Sequence, residues 1–471
     1  MLKPCLATTC FTFLALAGCA ISPDPQPQTM AVPAAWKAMS ATEYMLNKPL
    51  LIAWWQVYND ANLNSIIEQA HIANTDVQLA ATRVAQAWAS VDAALSQKRL
   101  AVGLNASAER RRLPATRLIG STEPNVVVPP SIQNQLNVGL QANFEVDLVG
   151  RLGKGTASAQ AQFRASEFDA LSARLAVTNA VFLAWADVRL AERRHDIASQ
   201  LVSTANTIAE GEHKRVVAGI GTAQTSRDAT QVTLEARQKQ IDAMRDRELG
   251  LAQIALLIGE YPVDFAARWA IAANDFSIEP KITPDLPARV VARRPDVQAQ
   301  WERLLGAVTD IERARLERYP TLNLTSTLGF LADSLTSWLR RDAINWTLAA
   351  ITSIPLLDGG KIAARVDQSK AIRSEREVLY RQSVLTALKE VESGLIQWQA
   401  VSAQVSLAKD LHASRTREVA DTHRFVQAGT LNSLDSSKAQ IRLLDAAESL
   451  AIAQRNATIA YGSLNTSLGR Q

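Results

Sequence analysis

The chain has 471 residues, of which 47% are hydrophobic and 20% are charged, and its net charge is +4. A charge balance this mild gives no reason to expect a nucleic acid partner, and the composition excludes both a polytopic helical membrane protein and a disordered chain. The three cysteines, Cys5, Cys10 and Cys19, all lie near the N-terminus, so the rest of the chain contains neither a disulfide nor a cysteine zinc site.

The N-terminus is typical of a secretory signal. Residues 1–18 carry one basic residue, Lys3, followed by an apolar stretch that is too short to serve as a stable membrane anchor. The signal ends in Leu16, Ala17 and Gly18, which we expect to be the recognition sequence of the signal peptidase. An ordinary signal peptide followed by an incidental cysteine also fits this pattern.

Cys19 follows the signal directly. The tetrapeptide that it completes resembles the lipobox of bacterial lipoproteins, and the resemblance implies cleavage before Cys19 and acylation of that residue. Two or three acyl chains hold a protein stably at a membrane, whereas one chain does so only marginally. Because Ala20 follows rather than an aspartate, the resemblance implies the outer membrane. We expect residues 19–48 to form a lipidated tether, and no cofactor apart from this covalent lipid.

The mature chain contains an internal duplication. Asp76-Val77-Gln78 recurs 220 positions later as Asp296-Val297-Gln298. Further along, Gly219 and its neighbours recur 210 positions later around Gly429. The first copy is therefore longer by about ten residues, and this extra length lies between the two groups of matching residues.

The duplication sets the domain boundaries. We place the first repeat at residues 49–259, a linker at 260–285 and the second repeat at 286–471. The proline-rich residues 113–134 are where we expect the extra length of the first repeat.

Proline placement predicts very long helices. No proline occurs between Pro130 and Pro262 or after Pro355, and these stretches are rich in good helix formers. Two antiparallel helical hairpins are predicted, over 155–217 with 223–258 and over 362–427 with 431–468. Two shorter helices begin each repeat, at 61–73, 76–98, 286–293 and 296–318. A soluble coiled-coil rod would give the same long helices.

Between the short and the long helices, the period of hydrophobic residues changes from 3.6 to 2. In one segment, for example, Leu136, Val138 and Leu140 alternate with Asn137 and Gly139. Such length and alternation are typical of strands that span a membrane in a barrel, although a half-buried sheet of a soluble domain alternates in the same way. Four strands of about ten residues are predicted, at 101–112, 135–147, 321–331 and 344–356.

Four strands do not close a barrel, because the smallest bacterial barrels have about eight. An open sheet edge is not tolerated in lipid. If the strands span the membrane, several chains must share one barrel, with eight strands in a dimer or twelve in a trimer. The strand pattern alone does not choose between them.

The pattern resembles the outer membrane factor family, the TolC-like outer membrane efflux proteins. The motifs that carry the resemblance are Trp54-Trp55 followed by Asp60, the segment Arg293–Val297, and the strand-to-helix junctions Phe144–Arg151 and Pro355–Lys361. The resemblance covers nearly the whole mature chain. The lipobox and the short C-terminus resemble the NodT-type efflux lipoprotein branch more than the secretion branch.

The resemblance implies an α+β membrane protein built as a homotrimer, with a shared twelve-stranded β-barrel and a periplasmic tunnel of long coiled-coil α-helices. It implies the outer-membrane channel of a tripartite efflux pump, a passive exit duct for drugs or other toxic small molecules. The implied partners are a periplasmic adaptor (membrane fusion) protein, an inner-membrane proton-driven pump and outer-membrane lipid. The adaptor-facing tips would comprise Arg215, Gly219, Ile220, Gly221, Arg424, Gly429, Thr430 and Leu431.

The family closes its tunnel with a leucine and acidic residues near the axis. Leu434 and Asp435 match this pattern, so the resemblance implies a cation-attracting ring of three aspartates. Lys438 stands where the family often has a second aspartate, so the resemblance does not extend to a double acidic gate. Asp228 occupies the equivalent position in the first repeat. Asp228 and Lys438 either form an ion pair between the hairpins, which would help to hold the tip closed, or are solvated charges on the helix surface.

Two further features have alternative interpretations. Two groups of arginines lie at the outer ends of predicted strands, Arg110-Arg111-Arg112 and Arg340-Arg341. They either contact lipopolysaccharide phosphates or are solvated charges in loops. No HExxH, GxSxG or P-loop spacing occurs, so catalysis is not predicted. The alternatives to efflux are the outer-membrane duct of a type I protein secretion system and a non-conducting, periplasm-spanning structural lipoprotein.

Overall fold

The computed structural model describes residues 30–37, 53–114, 116–117, 127–128, 130–269 and 285–470. The signal, Cys19, most of the tether and part of the predicted linker lie outside the described residues. Contacts within the chain define two units. We name the first the strand unit, from Trp88–Gln162 and Arg303–Glu377, and the second the helix unit, from Met30–Ala87, Phe163–Glu302 and Val378–Gln471.

The strand unit contains a four-stranded antiparallel sheet with the order β1-β4-β5-β6. Each repeat contributes one hairpin, and β4 and β5 join the two hairpins in the middle of the sheet. The long strands are β1 (Ala101–Leu113), β4 (Ser131–Val146), β5 (Thr321–Ala332) and β6 (Ile344–Ser353). A two-residue ribbon, β2 (Thr116–Arg117) with β3 (Val127–Val128), lies in the β1–β4 connection.

All four long strands were predicted, and only two of their boundaries differ by more than one residue. β4 begins four residues before the predicted 135, because Ser131 to Asn134 continue the pairing with β1. β6 ends at Ser353, before the predicted 356. Pro355 has no N–H to donate to a strand ladder, which accounts for the early end.

Nine α-helices are present within the described residues, and most lie within a few residues of the predicted ranges. One short helix falls in the predicted linker, because Pro262 sits at its first turn and favours a helix start. The helices are α1 (Ala61–Ala73), α2 (Thr75–Ser96), α3 (Arg151–Val217), α4 (Ala223–Leu257), α5 (Pro262–Arg268), α6 (Pro287–Arg293), α7 (Pro295–Leu316), α8 (Lys361–Gln427) and α9 (Ser433–Ser467).

An aspartate at each strand-to-helix junction begins a long helix. Asp147 accepts hydrogen bonds from the backbone N–H groups of Leu152 and Gly153, at 3.1 and 2.7 Å. Asp358 accepts from Gly360 and Ile362 at 3.0 and 2.8 Å, and these bonds lower the pKa of its carboxyl. Carboxylates favour the first turn of a helix because they satisfy its free N–H groups. These caps explain why α3 begins at Arg151 rather than at the predicted 155.

The core of the helix unit is an aromatic cluster. Trp54 is fully buried and packs edge-on against Phe182, with ring centroids 4.8 Å apart. Asp60 caps α1 by accepting from the N–H groups of Asn62 and Leu63, and it also accepts from the indole nitrogen of Trp185 at 3.0 Å. The Trp54-Trp55 motif and Asp60 therefore hold α1 against α3.

The arginines of the Arg293–Val297 segment fix the end of the last helix. Arg293 donates twice to the carbonyl oxygen of Leu468, at 3.2 and 2.8 Å. Arg294 is buried and donates to the carbonyl oxygen of Ser467 at 3.1 Å. Since the C-terminus of a helix carries free carbonyl groups and a partial negative charge, two cations there stabilise α9.

One described helix, α3, contains a stretch that is apolar and long enough to cross a membrane, and half of that stretch is buried within the protein. The pair α4 and α5 passes the same test only when counted together across a bend of 112°. Core helices of soluble proteins have the same character, so these helices are weak evidence for a membrane span.

Candidate functional site

The sheet has one apolar face, and that face is exposed. Leu104, Leu140, Leu328 and Trp346 occupy one row across all four strands. Each of the four side chains is between 50% and 72% exposed. Soluble proteins rarely leave such a contiguous apolar surface uncovered.

The opposite face of the sheet is polar and largely uncharged. One of its rows is Gly103, Gln141, Thr327 and Thr347. Between Asn137 and Asn143 the rows contain no ionisable side chain, a distance of about 20 Å at roughly 3.4 Å per residue. This face can contact water without a strong field of either sign.

The charges of the polar face lie at its two ends and are paired. Glu145 contacts Arg151 at 2.6 Å at the end nearest the helices. At the other end, Glu109 lies 3.9 Å from Arg111 on the same strand. Because each acid has a basic neighbour, the ends add little net charge to this face.

The sheet has two free edges. β1 pairs only with β4, and β6 pairs only with β5, within the part of the chain that the structure describes. A free edge presents unpaired N–H and C=O groups, which another strand can satisfy. The sheet therefore has the geometry of an open segment rather than of a closed barrel.

The tips of the two helical hairpins are built alike. Gly219 and Gly429 both adopt a left-handed backbone with a φ of 74°. The next residue in each tip, Ile220 or Thr430, donates its N–H to a carbonyl five residues back, at 3.0 Å. This is a Schellman turn, which favours glycine because it has no Cβ.

Both tips expose apolar side chains. The exposed residues are Val217, Ile220, Phe425 and Leu431. Of the predicted tip residues, Arg424 contacts Asp421, and Arg215 lies 3.9 Å from Glu212. Gly221 has no room for a Cβ, which would meet the backbone nitrogen of Val216 at 3.0 Å.

The predicted aperture residues lie at the start of α9. Leu434 is buried against α3, where Gly211 leaves space for it; a Cβ on Gly211 would come within 2.5 Å of Leu434. Asp435 forms a capping box with Asn432, with both hydrogen bonds between 3.0 and 3.2 Å. Within one chain, Leu434 is thus a packing residue and Asp435 a helix cap.

Of the two alternatives for Lys438 and Asp228, the ion pair is not formed within the described chain. Lys438 instead lies 3.9 Å from Glu212 of α3, which is buried. The carboxylate of Asp228 accepts a hydrogen bond from Gln224 at 2.7 Å, one turn away on α4. Here α9 packs against α3, a contact that the equivalence of the two repeats does not reveal.

Sequence reasoning missed Gly211 and Glu212. A signal was available, because Gly211 lies inside a long helix without breaking it. A glycine there destabilises a helix unless close packing requires it. Among the described residues, no group of three or more His, Cys, Asp or Glu side chains is arranged to hold a metal ion.

Duplicated strand hairpins with one exposed apolar face, joined to long helical hairpins, define a class of membrane duct proteins. A profile of the Outer membrane efflux protein family matches residues 66–260 and 286–470. The chain belongs to this family of outer-membrane efflux channels, and it is the outer-membrane component of an efflux pump.

Curated relatives match almost the whole chain. The Pyoverdine export outer membrane protein OpmQ of Pseudomonas aeruginosa is 26% identical and covers 95% of this chain and 93% of its own length. Nodulation protein T of Rhizobium leguminosarum bv. trifolii is 24% identical, over 98% of this chain and 96% of its own. The Cation efflux system protein CusC of Escherichia coli (strain K12) is 24% identical, over 99% and 100%.

Solved structures share the fold. The outer-membrane channel OprN aligns with a TM-score of 0.82 at 22% identity, covering 96% of this chain and 99% of that chain. The open state of the Neisseria gonorrhoeae MtrE outer membrane channel aligns with a TM-score of 0.82 at 20% identity, covering 96% and 98%.

Proposed function

We propose that three copies of the chain close one twelve-stranded barrel in the outer membrane and form one helical tunnel below it. The observation that carries this proposal is the sheet with two free edges and an exposed apolar face. Lipid does not satisfy the hydrogen bonds of an open edge. Pairing β1 of one copy with β6 of the next satisfies both edges and turns the leucine row towards lipid.

The proposed duct is passive and wide enough to be wet. Its barrel wall would be the amide- and hydroxyl-rich face around Gln141 and Thr327. Such a wall offers hydrogen bonds but little charge, so it does not select strongly between ions of opposite sign. We propose drugs and other toxic small molecules as the cargo, with selection made by the inner-membrane partner.

The partners of the duct would meet it at the hairpin tips. Exposed apolar side chains, Ile220 and Leu431 among them, flank the two Schellman turns. Apolar groups with charged neighbours are the composition of a typical protein interface. We propose that a periplasmic adaptor packs on these tips and connects the duct to a proton-driven pump.

The resting aperture would be set near the tips. In the trimer, three copies of Asp435 would lie near the axis and attract cations. Because Lys438 replaces a second acidic residue and lies near Glu212 in each chain, the aperture would have only one acidic ring. Asp435→Asn should therefore reduce the preference of the duct for cations in reversal-potential measurements.

Lipidation of Cys19 completes the proposal. Radiolabelled palmitate fed to cells should label the wild-type protein and should not label Cys19→Ala. Label in the variant would show that Cys19 is not the acylated residue.

The duct function is tested by reconstitution. The purified full chain should run as a heat-modifiable trimer and should conduct ions in planar bilayers. Deleting the gene should increase susceptibility to several unrelated toxic compounds, and the wild-type gene should restore resistance. Trimers that do not conduct would favour a structural lipoprotein, and a defect in protein export alone would favour a secretion duct.

A further inference from the structure

We propose that the outer rim of the apolar face binds a phosphorylated glycolipid of the outer leaflet. Arg110 and Arg112 would hold its phosphate, and an apolar hollow beside them would hold an acyl chain. This inference rests on the proposed function, because it requires the sheet to span the membrane.

The strand register separates three consecutive arginines. Arg110 and Arg112 lie on the apolar face of β1, in line with Leu104, and their cross-strand neighbours are Asn134 and Ile132. Arg111 lies on the polar face, beside Glu109. Two of the three arginines thus continue the surface that would face lipid.

The height of the apolar face places these two arginines at its boundary. Apolar side chains cover this face of β4 from Leu136 to Val146, ten positions along the strand. This run is about 34 Å long at roughly 3.4 Å per residue, or about 26 Å in height at a tilt of about 40°. Outer-membrane barrels have an apolar band about 25 Å tall. Arg110, next to Asn134, lies one row beyond the band.

This boundary is the outer one. β1 follows α2 and β4 leads into α3, so the helices attach at the opposite end of both strands. The end that carries Arg110 is therefore the end farther from the helical part of the strand unit. In the proposed duct, this end reaches the outer leaflet.

Both arginines are available for a ligand. Their side chains are exposed, and neither has a carboxylate within 4.0 Å among the described residues. A cation beside hydrocarbon is costly unless a partner neutralises it. Guanidinium groups bind phosphate with two parallel hydrogen bonds, so phosphate is the partner that suits this position.

An apolar hollow lies next to the arginines on the same face. Its volume is about 340 Å³, and it is lined by Ala106, Ala108, Leu136, Val138, Leu335 and Trp338, with Ser107 at its edge. Arg110 is two residues beyond Ala108, about 7 Å along the strand. Trp338 fits this level, because aromatic side chains form girdles at membrane interfaces. A free phosphate would need the arginines but not the hollow, whereas a lipid uses both.

The test compares arginines on the two opposite faces of one strand. Wild-type protein, Arg110→Gln/Arg112→Gln and the control Arg111→Gln are reconstituted in phosphatidylcholine vesicles that contain lipopolysaccharide. The lipopolysaccharide retained on each trimer is then measured after detergent washing. We expect the double variant to retain about tenfold less, since charge-assisted hydrogen bonds are worth roughly that factor. Arg111→Gln should retain as much as the wild type.

Further variants separate the site from folding and from the duct function. Arg110→Lys/Arg112→Lys keeps the charge but loses the bidentate geometry, so its retention should be intermediate. Ala108→Trp fills the hollow and should also reduce retention. Any of three results would contradict the site. These are a loss in Arg111→Gln as large as in the double variant, unchanged retention in the double variant, and wild-type protein that retains phosphatidylglycerol as well as lipopolysaccharide. Conductance of the same vesicles tests the duct separately: retention as expected without conductance would contradict the duct alone.

Discussion

At the residue scale, a few polar side chains hold the ends of the elements together. Arg294 is the clearest case, because one buried guanidinium contacts Asp296 and Glu390 at 2.7 Å and also the end of α9. Burial alone would lower the pKa of Arg294, but its two acidic partners, Asp296 and Glu390, raise the pKa above its usual value. Its role is therefore structural, as the joint of three helices.

Replacement of Arg294 should destabilise the protein. Arg294→Ala leaves two carboxylates and the carbonyl of Ser467 without their donor, and we expect a loss of about 2–3 kcal/mol in unfolding free energy. Thermal unfolding in detergent measures this loss. Arg83→Ala, at an exposed position of α2, is the control and should change stability by less than about 0.5 kcal/mol. Equal effects would show that Arg294 is not the joint.

His71 should make stability depend on pH. Burial, and then the charge of Arg174, lower the pKa of His71 to about 4. Arg174 donates to Nδ1 of the ring at 3.2 Å, so the ring is neutral and its Nε2 lies 2.7 Å from Thr178. An unfolded histidine has a pKa of about 6.5. Between these values the unfolded chain binds a proton that the folded chain does not bind, so stability is complete above pH 6.5 and falls as the pH drops towards 4.

Melting temperatures across this pH range test the role of His71. His71→Asn should be less stable than the wild type at pH 7.5, but its melting temperature should fall less between pH 7.5 and 5. His423→Gln, at an exposed position on α8, should keep the wild-type pH dependence. A wild-type slope in His71→Asn would assign the dependence to other groups.

At the element scale, the long helices pack through close contacts that small residues allow. Gly462 of α9 faces the ring of Phe182 and the edge of Trp54. A Cβ there would meet Phe182 at 2.5 Å and Trp54 at 3.1 Å. Because both rings are buried and packed against further aromatic rings, neither has free space to move into, and the helix would have to shift.

Gly462→Ala should therefore be costly although alanine favours helices. We expect a loss of about 2–3 kcal/mol in unfolding free energy, the range for an overpacked core. Gly103→Ala, where nothing lies within 4 Å of the added Cβ, should change stability by less than about 0.5 kcal/mol. Chemical denaturation of both variants gives the comparison, and a neutral Gly462→Ala would mean that α9 can shift.

An ion network joins α9 to the first hairpin. Glu448 accepts hydrogen bonds from Arg194 of α3 at 3.0 Å and from Lys239 of α4 at 2.9 Å. Burial would raise the pKa of Glu448, but hydrogen bonds from Lys239 and Arg194 lower it. Its contribution to stability is therefore present above about pH 4.5 and is lost as the pH falls further.

Glu448→Gln should cost about 1–2 kcal/mol at pH 7, because it leaves two partly buried cations with a weaker partner. The difference between variant and wild type should shrink below pH 4.5, where Glu448 itself becomes protonated. Glu210→Gln, on the exposed side of α3, is the matched control and should be neutral. A difference that does not depend on pH would contradict the ionic role.

The sequence predicted the positions of the helices and strands well, but it did not show which helices pack against each other. The alternation around Leu136 to Leu140 predicted β4, because each residue's face is a local property of a strand. The acidic neighbour of Lys438 could not be predicted from the sequence, because it depends on which helix α9 packs against. Gly211 and Gly462 lie inside long helices and so indicate close packing, but the sequence does not show what they pack against, because their partners are far away along the chain.

At the scale of the whole molecule, the proposed barrel has to pair the two edges that are free within the described part of the chain. β1 and β6 belong to different repeats and lie at opposite sides of one sheet. Closing the sheet on itself with four strands is not possible at the size of known barrels. The two free edges do not by themselves fix the number of copies in the barrel, and this number can be measured.

Disulfide cross-linking counts those copies. Cys19 would be the sole cysteine of the mature chain and is proposed to be acylated, so introduced cysteines can be read without background. Asn105→Cys on β1 is combined in turn with a cysteine at Asn345, Thr347 or Ala349 on β6, all on the polar face. If β1 of one copy pairs with β6 of the next, oxidation should give covalent dimers and trimers on a non-reducing gel and nothing larger.

Moving the second cysteine to Gln141 on the central strand β4 should abolish the ladder, because β4 lies at neither edge. A ladder that ends at two copies would indicate an eight-stranded barrel, and no ladder from any pair would show that the edges do not meet.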